Sequence, residues 1–598
     1  MNDPILRFLI VDAVALLLLG AGTSLLPQAI CGLLTATLCG LSALLCLPPL
    51  FSHAPAAPLS VPVGPPGLSL HFALDPLSLF FLLNLFVAGT AVAAFQSTVV
   101  QPARIHPTAW CVAGTALSLL AADGVAMVIG LAVTCASAGY RGRRLPMLAP
   151  ALLLGAVCLL TPSGYAPRFD AIRAAPIDSD HATAAMVLTV AAVGALVWPD
   201  NSERCWTRDA LTAGVLIPFS SYLLLRLIAD LSAAAAQPWW GALLLLAGGA
   251  GSVVAAWRAA ALPDIDTAIA ALLARQAGLA VIGVGLAMTA RTADLPAAAA
   301  FALDATCLTA LGTSLAGTLL SLSAHTIGTS AGTYRLSRLG GLVHAMPGTS
   351  AALSAGLLTA SALPPGLGFA ALWLSFQSIL SAPHTGGVLS QLPLALIAAA
   401  IALSAGLSTA ASLRVVGIAV LGRPRTPRGA GAGESPSTIR AILLLLAATA
   451  LLAGVLPGPL LRLLADPSID ALTSLPPAQG FGLLSLAGAS PGYLIVPLLA
   501  LLTLAVGAAW RVPRQLRKPA KPAGPWTDGM QPPIGLPFGD PAAQSSGAGF
   551  LPALPEIALP RPPPLPSLPR TRISATFPGL WLLLAGFAAL LLALAVVG

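Results

Sequence analysis

Ala441-Ile-Leu-Leu-Leu-Leu-Ala-Ala-Thr-Ala-Leu-Leu-Ala-Gly-Val-Leu456 holds no charged residue. It also lacks the alternation of period two that marks a barrel strand. With its flanks the run extends over 438–464, more than the roughly 20 apolar residues that cross a bilayer. Inside lipid only helices and closed barrels satisfy their own backbone groups. The stretch therefore reads as a transmembrane helix.

Similar runs fill most of the chain. With 438–464, the candidate spans are 5–26, 28–51, 72–96, 107–122, 124–140, 145–162, 184–199, 209–230, 238–258, 265–289, 297–322, 349–372, 389–421, 482–509 and 577–598. The length of 389–421 predicts a bent or broken helix. Of 598 residues, 57% are hydrophobic and 8% charged, and the mean hydropathy is +0.89. A soluble domain is about one quarter charged, so this chain cannot cover a water-facing surface. The fold class that follows is all-α and polytopic, with about 16 transmembrane helices. Arg7 and the apolar run behind it read as the first span, since no small-residue cleavage site follows.

Charge sets the expected topology. Connections after odd-numbered spans hold most of the 29 basic residues, among them Arg141, Arg143, Arg144, Arg258, Arg335, Arg338, Arg423, Arg425, Arg428, Arg511 and Arg514. Connections after even-numbered spans hold few, such as Arg168, Arg173 and Arg291. The positive-inside rule makes the first side cytoplasmic and turns both termini outward. The net charge of +8 then reflects topology. Nucleic-acid binding would need a folded basic surface, which is not expected here.

Five regions follow: N-terminal membrane helices over 1–70, a membrane core over 71–425, further helices over 426–509, a Pro-rich cytoplasmic loop over 510–576 and a final helix over 577–598. The eight cysteines and seven histidines are dispersed without metal-ligand spacing. No nucleotide, flavin, quinone or metal motif is present, so neither cofactor nor metal is expected. Any redox chemistry belongs to partner subunits.

Several stretches resemble one family. They are Phe72-Ala-Leu-Asp75-Pro-Leu-Ser-Leu-Phe-Phe81 and Leu336-Ser-Arg-Leu-Gly-Gly-Leu-Val-His-Ala-Met-Pro347. Ser361-Ala-Leu-Pro-Pro-Gly-Leu-Gly-Phe369 with Trp373 follows, then Arg414-Val-Val-Gly-Ile-Ala-Val-Leu-Gly-Arg-Pro-Arg425, and finally Trp526-Thr-Asp-Gly529. Together they are similar to the antiporter-like membrane subunits of respiratory complex I, Mrp antiporters and membrane-bound hydrogenases, in particular the hydrogenase-4 component B branch. The resemblance is specific over 336–425. It implies two inverted five-helix repeats with broken helices. It also implies proton or cation translocation through membrane-buried Glu and Lys, driven by electron transfer in neighbouring subunits of a bacterial inner-membrane complex.

The sequence departs from that chemistry. Its two lysines, Lys518 and Lys521, and its three glutamates, Glu203, Glu434 and Glu556, all lie in expected connections. On the resemblance, Ala132 falls where the family has Glu, Pro218 and Asp266 where it has Lys, and Leu372 where it has Glu. Arg414 keeps a positive charge but is effectively never deprotonated. Pro218 lacks an N–H and clashes with the Gly214 carbonyl, which predicts a broken helix there.

A charge at the bilayer centre is costly and persists with a function or a partner. The candidate polar axis is Asp264, Asp266, Arg275, Asp304 and Arg414. Each also has a structural reading. Asp75 beside Pro76 reads as a helix cap. Asp264 and Asp266, just after Pro263, suit a helix N-terminus. Arg275, nine residues past Asp266, finds its expected partner in Asp304 on the next span. The leading reading is a membrane subunit of a complex I-like or hydrogenase-type assembly that conducts weakly or is structural. The alternative is active translocation along a divergent Asp/Arg axis. An unrelated small-molecule transporter is a third class, which the 336–425 motifs disfavour.

Overall fold

The computed structural model describes residues 4–21, 27–52, 58–61, 69–99, 107–138, 146–161, 167–175, 177–197, 205–381, 388–458, 460, 485–486 and 493–516. The Arg141–Arg144 cluster, the 577–598 span and nearly all of the 510–576 loop lie outside these residues.

Among the described residues, ten helices are long and apolar enough to cross a membrane, and five shorter apolar helices accompany them. The N-terminal part comprises α1 (Pro4–Ala21), α2 (Gln28–Leu45), α3 (Pro76–Thr98), α4 (Pro107–Leu120), α5 (Gly124–Ala138), α6 (Ala149–Leu160), the short α7 (Phe169–Ala174) and α8 (Ser179–Val197). Next come α9 (Trp206–Leu231), α10 (Pro238–Ala261), α11 (Ile265–Thr292) and α12 (Pro296–Ala331). The chain continues through α13 (Pro347–Ala360), α14 (Leu367–Leu380), α15 (Val388–Val415), α16 (Ser437–Val455) and α17 (Ile495–Leu516). A two-stranded antiparallel ribbon, β1 (Leu59–Val61) with β2 (Leu70–Phe72), leads into α3.

Packing follows side-chain size. In α9 and α12, 94% and 89% of the most apolar window is buried, against 33% in α15 and α16. Helices α15 and α16 therefore turn much of their surface outward, whereas α9 lies at the centre beside the long α12. At 36 residues α12 is about 54 Å long, well beyond a hydrocarbon core of about 30 Å. Its neighbours approach closely through small residues, the usual device between membrane helices. A Cβ on Gly317 would lie 2.9 Å from the Ala213 Cβ, and one on Gly283 only 2.1 Å from the Thr306 hydroxyl.

The connections sort onto two faces. On one face Phe72 bridges to Ala121 and Asp123 to Arg168, and the Arg291 guanidinium donates to the Ala229 carbonyl at 2.8 Å. On the other, Asp264 bridges to Arg335, and the Gly341 N–H donates to the Leu421 carbonyl at 3.0 Å. Gly341 makes that contact at φ 66°, a conformation that favours glycine. The second face carries Arg335, Arg338, Arg423 and Arg428, all exposed.

The expected break at Pro218 is not found, 389–421 is unbroken, and an interruption lies elsewhere. Span 389–421 is a helix continuous from Leu392 to Val420, ending in a π-helical turn. Pro218 likewise lies in a helix that runs on from Trp206 to Leu231. It is widened by π-helical turns at Thr212–Leu216 and Leu224–Leu231 and is not interrupted. The interrupted span is 349–372: α13 stops at Ala360, the chain crosses the cis Pro364–Pro365 peptide, and α14 begins at Leu367.

Candidate functional site: buried charges in the helix core

The densest group of buried charge centres on Arg226. Asp75 occupies the N-cap of α3 with extended backbone, and Pro76 follows at the first helical position, the order such a helix start favours. One Asp75 oxygen accepts from the Ser78 N–H at 2.8 Å; the other accepts from the Arg226 guanidinium. Arg226 is 2% exposed. It also donates to Asp230 at 2.9 Å, one turn further along α9, and to the Tyr222 hydroxyl at 3.2 Å, one turn back.

Asp230 in turn accepts two hydrogen bonds from Arg173, at 2.7 and 2.6 Å. The Arg226 guanidinium also lies over the Phe169 and Tyr222 rings, 5.5 and 5.3 Å from their centroids. The cluster joins α3, α7 and α9, and its two arginines balance its two aspartates. Each buried ion carries a desolvation penalty of several kcal/mol, which full pairing of this kind offsets.

Sequence reasoning missed Arg226 and Asp230. The available signal was the pair itself: opposite charges at i and i+4 inside an apolar span, one face of a helix.

Of the five predicted axis residues, Asp264, Asp266 and Arg414 sit together at the α10–α11 connection, and Arg275 and Asp304 lie further in. Asp264 and Asp266 flank the start of α11 on the arginine-rich face. Asp264 has the N-cap backbone conformation without a side-chain cap bond. Asp266 accepts from the Thr267 N–H at 2.9 Å. Arg275 lies deeper in α11 and is 0% exposed; Asp304, on α12, is 3% exposed.

These last two occupy neighbouring helices but are not ion-paired with each other among the described residues. Gly283 faces Thr306 across the antiparallel α11 and α12, a register that sets Arg275 opposite residue 314. Asp304 is ten residues from that level, about 15 Å along the axis.

Arg275 instead donates to the Ala360 carbonyl at 3.4 Å, which also accepts from Gln276 at 3.0 Å. Ala360 is the last residue of α13 before the break. Arg414 does the same for α10, donating to the carbonyls of Leu262 and, at 3.3 Å, of Ala259. The Arg291 contact at Ala229 treats the end of α9 in this way. Three arginines thus sit where the last carbonyls of a helix concentrate negative potential.

At Pro218 the carbonyl deprived of its N–H donor belongs to Gly214, four residues earlier. The Ser314 hydroxyl of α12 donates to it at 2.7 Å. Leu372 is buried, whereas Ala132 is on the exposed side of α5. The inward positions there are Leu131, Thr134 and Cys135.

Of the three glutamates, Glu434 is described. It closes the N-terminus of α13, accepting from the Gly348 N–H at 2.6 Å and the Thr349 hydroxyl at 2.7 Å. Burial raises its pKa, but the bonds from Thr349, Gly348 and Ser435 outweigh that and hold it below the ordinary 4.5.

No protein-family model matches the chain. Over 240 residues it is 28% identical to formate hydrogenlyase subunit 3 of Escherichia coli (strain K12), covering 40% of this chain and 39% of that protein. Over 247 residues it is 29% identical to hydrogenase-4 component B of the same organism, covering 41% and 36%. The aligned part is thus well under half the length of either relative.

Three solved structures share the fold. A chain of the membrane-bound sulfane sulfur reductase, an archaeal respiratory membrane complex, superposes with TM-score 0.71 at 19% identity, covering 89% of both chains. A chain of the Mrp complex from Dietzia sp. DQ12-45-1b gives 0.66 at 21%, covering 86% of this chain and 57% of that one. Respiratory complex I from Thermus thermophilus gives 0.60 at 20%, covering 78% and 99%. The protein is a multi-pass helical membrane protein with the antiporter-like fold, related to hydrogenase-4 component B and formate hydrogenlyase subunit 3.

Proposed function

We propose that the chain is a membrane subunit of a complex I-like or hydrogenase-type respiratory assembly in the bacterial inner membrane, with weak or absent proton conduction of its own. The names of its relatives and the fold it shares with chains of respiratory membrane complexes support the assembly. The excess of arginine on one face supports the orientation, with that face cytoplasmic and both termini outside. Redox chemistry, cofactors and the electron donor belong to partner subunits.

One observation carries the functional half of the proposal: the fully buried Arg275 and the half-buried Arg291 and Arg414 serve helix ends, and Arg226 is held in ion pairs. A relay needs groups that gain and lose protons near working pH. Arg275, Arg414 and Arg291 each bond backbone carbonyls, and arginine does not release its proton. Asp75 and Asp230 are held in ion pairs. Apolar side chains or proline occupy 132, 218 and 372.

A second reading, translocation along a divergent Asp/Arg axis, is favoured by Arg275. Its Nε and Nη2 meet no hydrogen-bond partner among the described residues, although the side chain is fully buried.

Reconstitution of the assembly in vesicles, with Asp304→Asn and Arg414→Gln variants, separates the readings. The proposal expects each variant that still assembles to pump as the unaltered assembly does. Loss of pumping in an intact assembly refutes it and establishes the axis. Failure to assemble assigns the residue a structural tie.

A further inference from the structure

We propose that the pocket between Asn84 and Pro218 is a binding site for water, built around the Asn84 amide. Asn84 lies about two turns into α3 and is 3% exposed. Neither its Nδ2 nor its Oδ1 meets a hydrogen-bond partner among the described residues. A buried amide left in that state is strongly disfavoured, and native proteins satisfy nearly all such groups with protein or with ordered water.

The amide borders a cavity of about 10 Å³ whose wall includes Thr115, Gly214, Pro218 and Phe219. That is close to the least space that admits one water, roughly 10–15 Å³. Size alone decides nothing, because cavities lined only by hydrocarbon stay dry; a buried water needs two to four polar partners. Asn84 supplies a donor and an acceptor. The Thr115 hydroxyl donates to the Cys111 carbonyl at 2.8 Å and lies 3.3 Å from the Thr134 hydroxyl; of its two lone pairs one is left for a third bond. Pro218 turns no polar group toward the cavity. The Gly214 carbonyl accepts from Ser314 and keeps a second lone pair. The side chains that hold the water are therefore on α3 and α4.

This goes beyond the proposed function and holds whether or not the subunit conducts. Amide and hydroxyl neither gain nor lose a proton near neutral pH, so the site orients water without a titrating group.

Hydroxyl-radical footprinting by X-ray radiolysis tests it on the full chain in detergent or nanodiscs. Radicals formed from a bound water oxidise the side chains beside it even when bulk solvent cannot reach them. Phe81 and Phe219 line the pocket and are each 2% exposed; Phe86, 0% exposed and outside the lining, is the dry control. The expected result is oxidation of Phe81 and Phe219 at least several-fold above Phe86, lost in Asn84→Leu and reduced in the gentler Thr115→Val. Wild-type labelling no higher than at Phe86 overturns the proposal. So does labelling that survives both substitutions, since water there would not depend on the amide. Should Asn84→Leu fail to fold, Thr115→Val and a density map at water-resolving resolution decide: a peak within hydrogen-bond distance of the Asn84 amide supports the site, and an empty pocket refutes it.

Discussion

Ser314 stands in for the amide that Pro218 lacks: its hydroxyl donates at 2.7 Å to the Gly214 carbonyl, a hundred residues away in sequence. Proline removes one helical N–H and strands the carbonyl four residues before it. Here a neighbouring helix supplies the donor, and π-helical turns on either side give the ring room. The helix therefore remains whole.

Ser314→Ala should lower stability by about 1–3 kcal/mol, the usual range for a buried acceptor left unsatisfied. In a Pro218→Ala background the helix regains its own N–H, and the same substitution should cost distinctly less. A double-mutant cycle by chemical unfolding in detergent measures the difference. Equal costs in both backgrounds would show that the hydroxyl is not replacing the amide.

Asp75→Asn should cost about 1–3 kcal/mol: it leaves the buried Arg226 charge with only Asp230 to share between two arginines, while the 37% exposure of the Asp75 side chain screens the pair that is lost. Removing Arg173 should cost less, since Asp230 keeps Arg226 as its partner and the pair that is lost is partly open to solvent, Arg173 being 43% exposed. Thermal unfolding of the two variants ranks them. The reverse order would mean that the cluster is held from its exposed rim.

The spans were legible in the sequence because hydropathy needs only local letters: the candidates from 5–26 to 438–464 each overlap a helix, 349–372 in two pieces, whereas 482–509 meets one only from Ile495 onward, after the paired strands Ser485–Leu486 and Tyr493–Leu494. The charge cluster was not found, because averaging over a span hides a single arginine. Arg226 also finds Asp75 only when α3 and α9 pack together. The Arg275–Asp304 pairing failed for a related reason: two residues on adjacent helices meet only if the register matches, and the register is set by contacts such as Gly283 against Thr306. The Pro218 break failed because a proline's effect depends on whether another helix offers a donor.

Glu434→Ala should destabilise α13 by about 0.5–2 kcal/mol, the usual loss for an N-terminal cap. The sign of the pH dependence follows from its depressed pKa. The unfolded carboxyl binds its proton more readily, so the cap contributes fully above about pH 4.5. That contribution is lost as pH falls through the folded value. Unfolding of wild type and Glu434→Gln should differ at pH 7 and converge only as pH falls below the folded value. A gap that stays constant would assign the effect to packing.

Arg414 offers the sharpest division between a relay and a tie. Its guanidinium holds the C-terminal carbonyls of α10, so Arg414→Gln should lower stability by about 1–2 kcal/mol through the lost charge at a helix end. Arg414→Lys keeps that charge and should restore part of the loss. In a relay the order of effects differs. Lysine can release a proton when buried, whereas arginine cannot, so Arg414→Lys should raise translocation above wild type and Arg414→Gln abolish it. As a tie, the residue should move stability in both variants and leave the protons translocated per electron pair unchanged in every assembly that forms. Measuring unfolding and proton translocation on the same preparations distinguishes the outcomes. A rise in translocation with lysine, unaccompanied by any change in stability, would exclude the structural reading of Arg414.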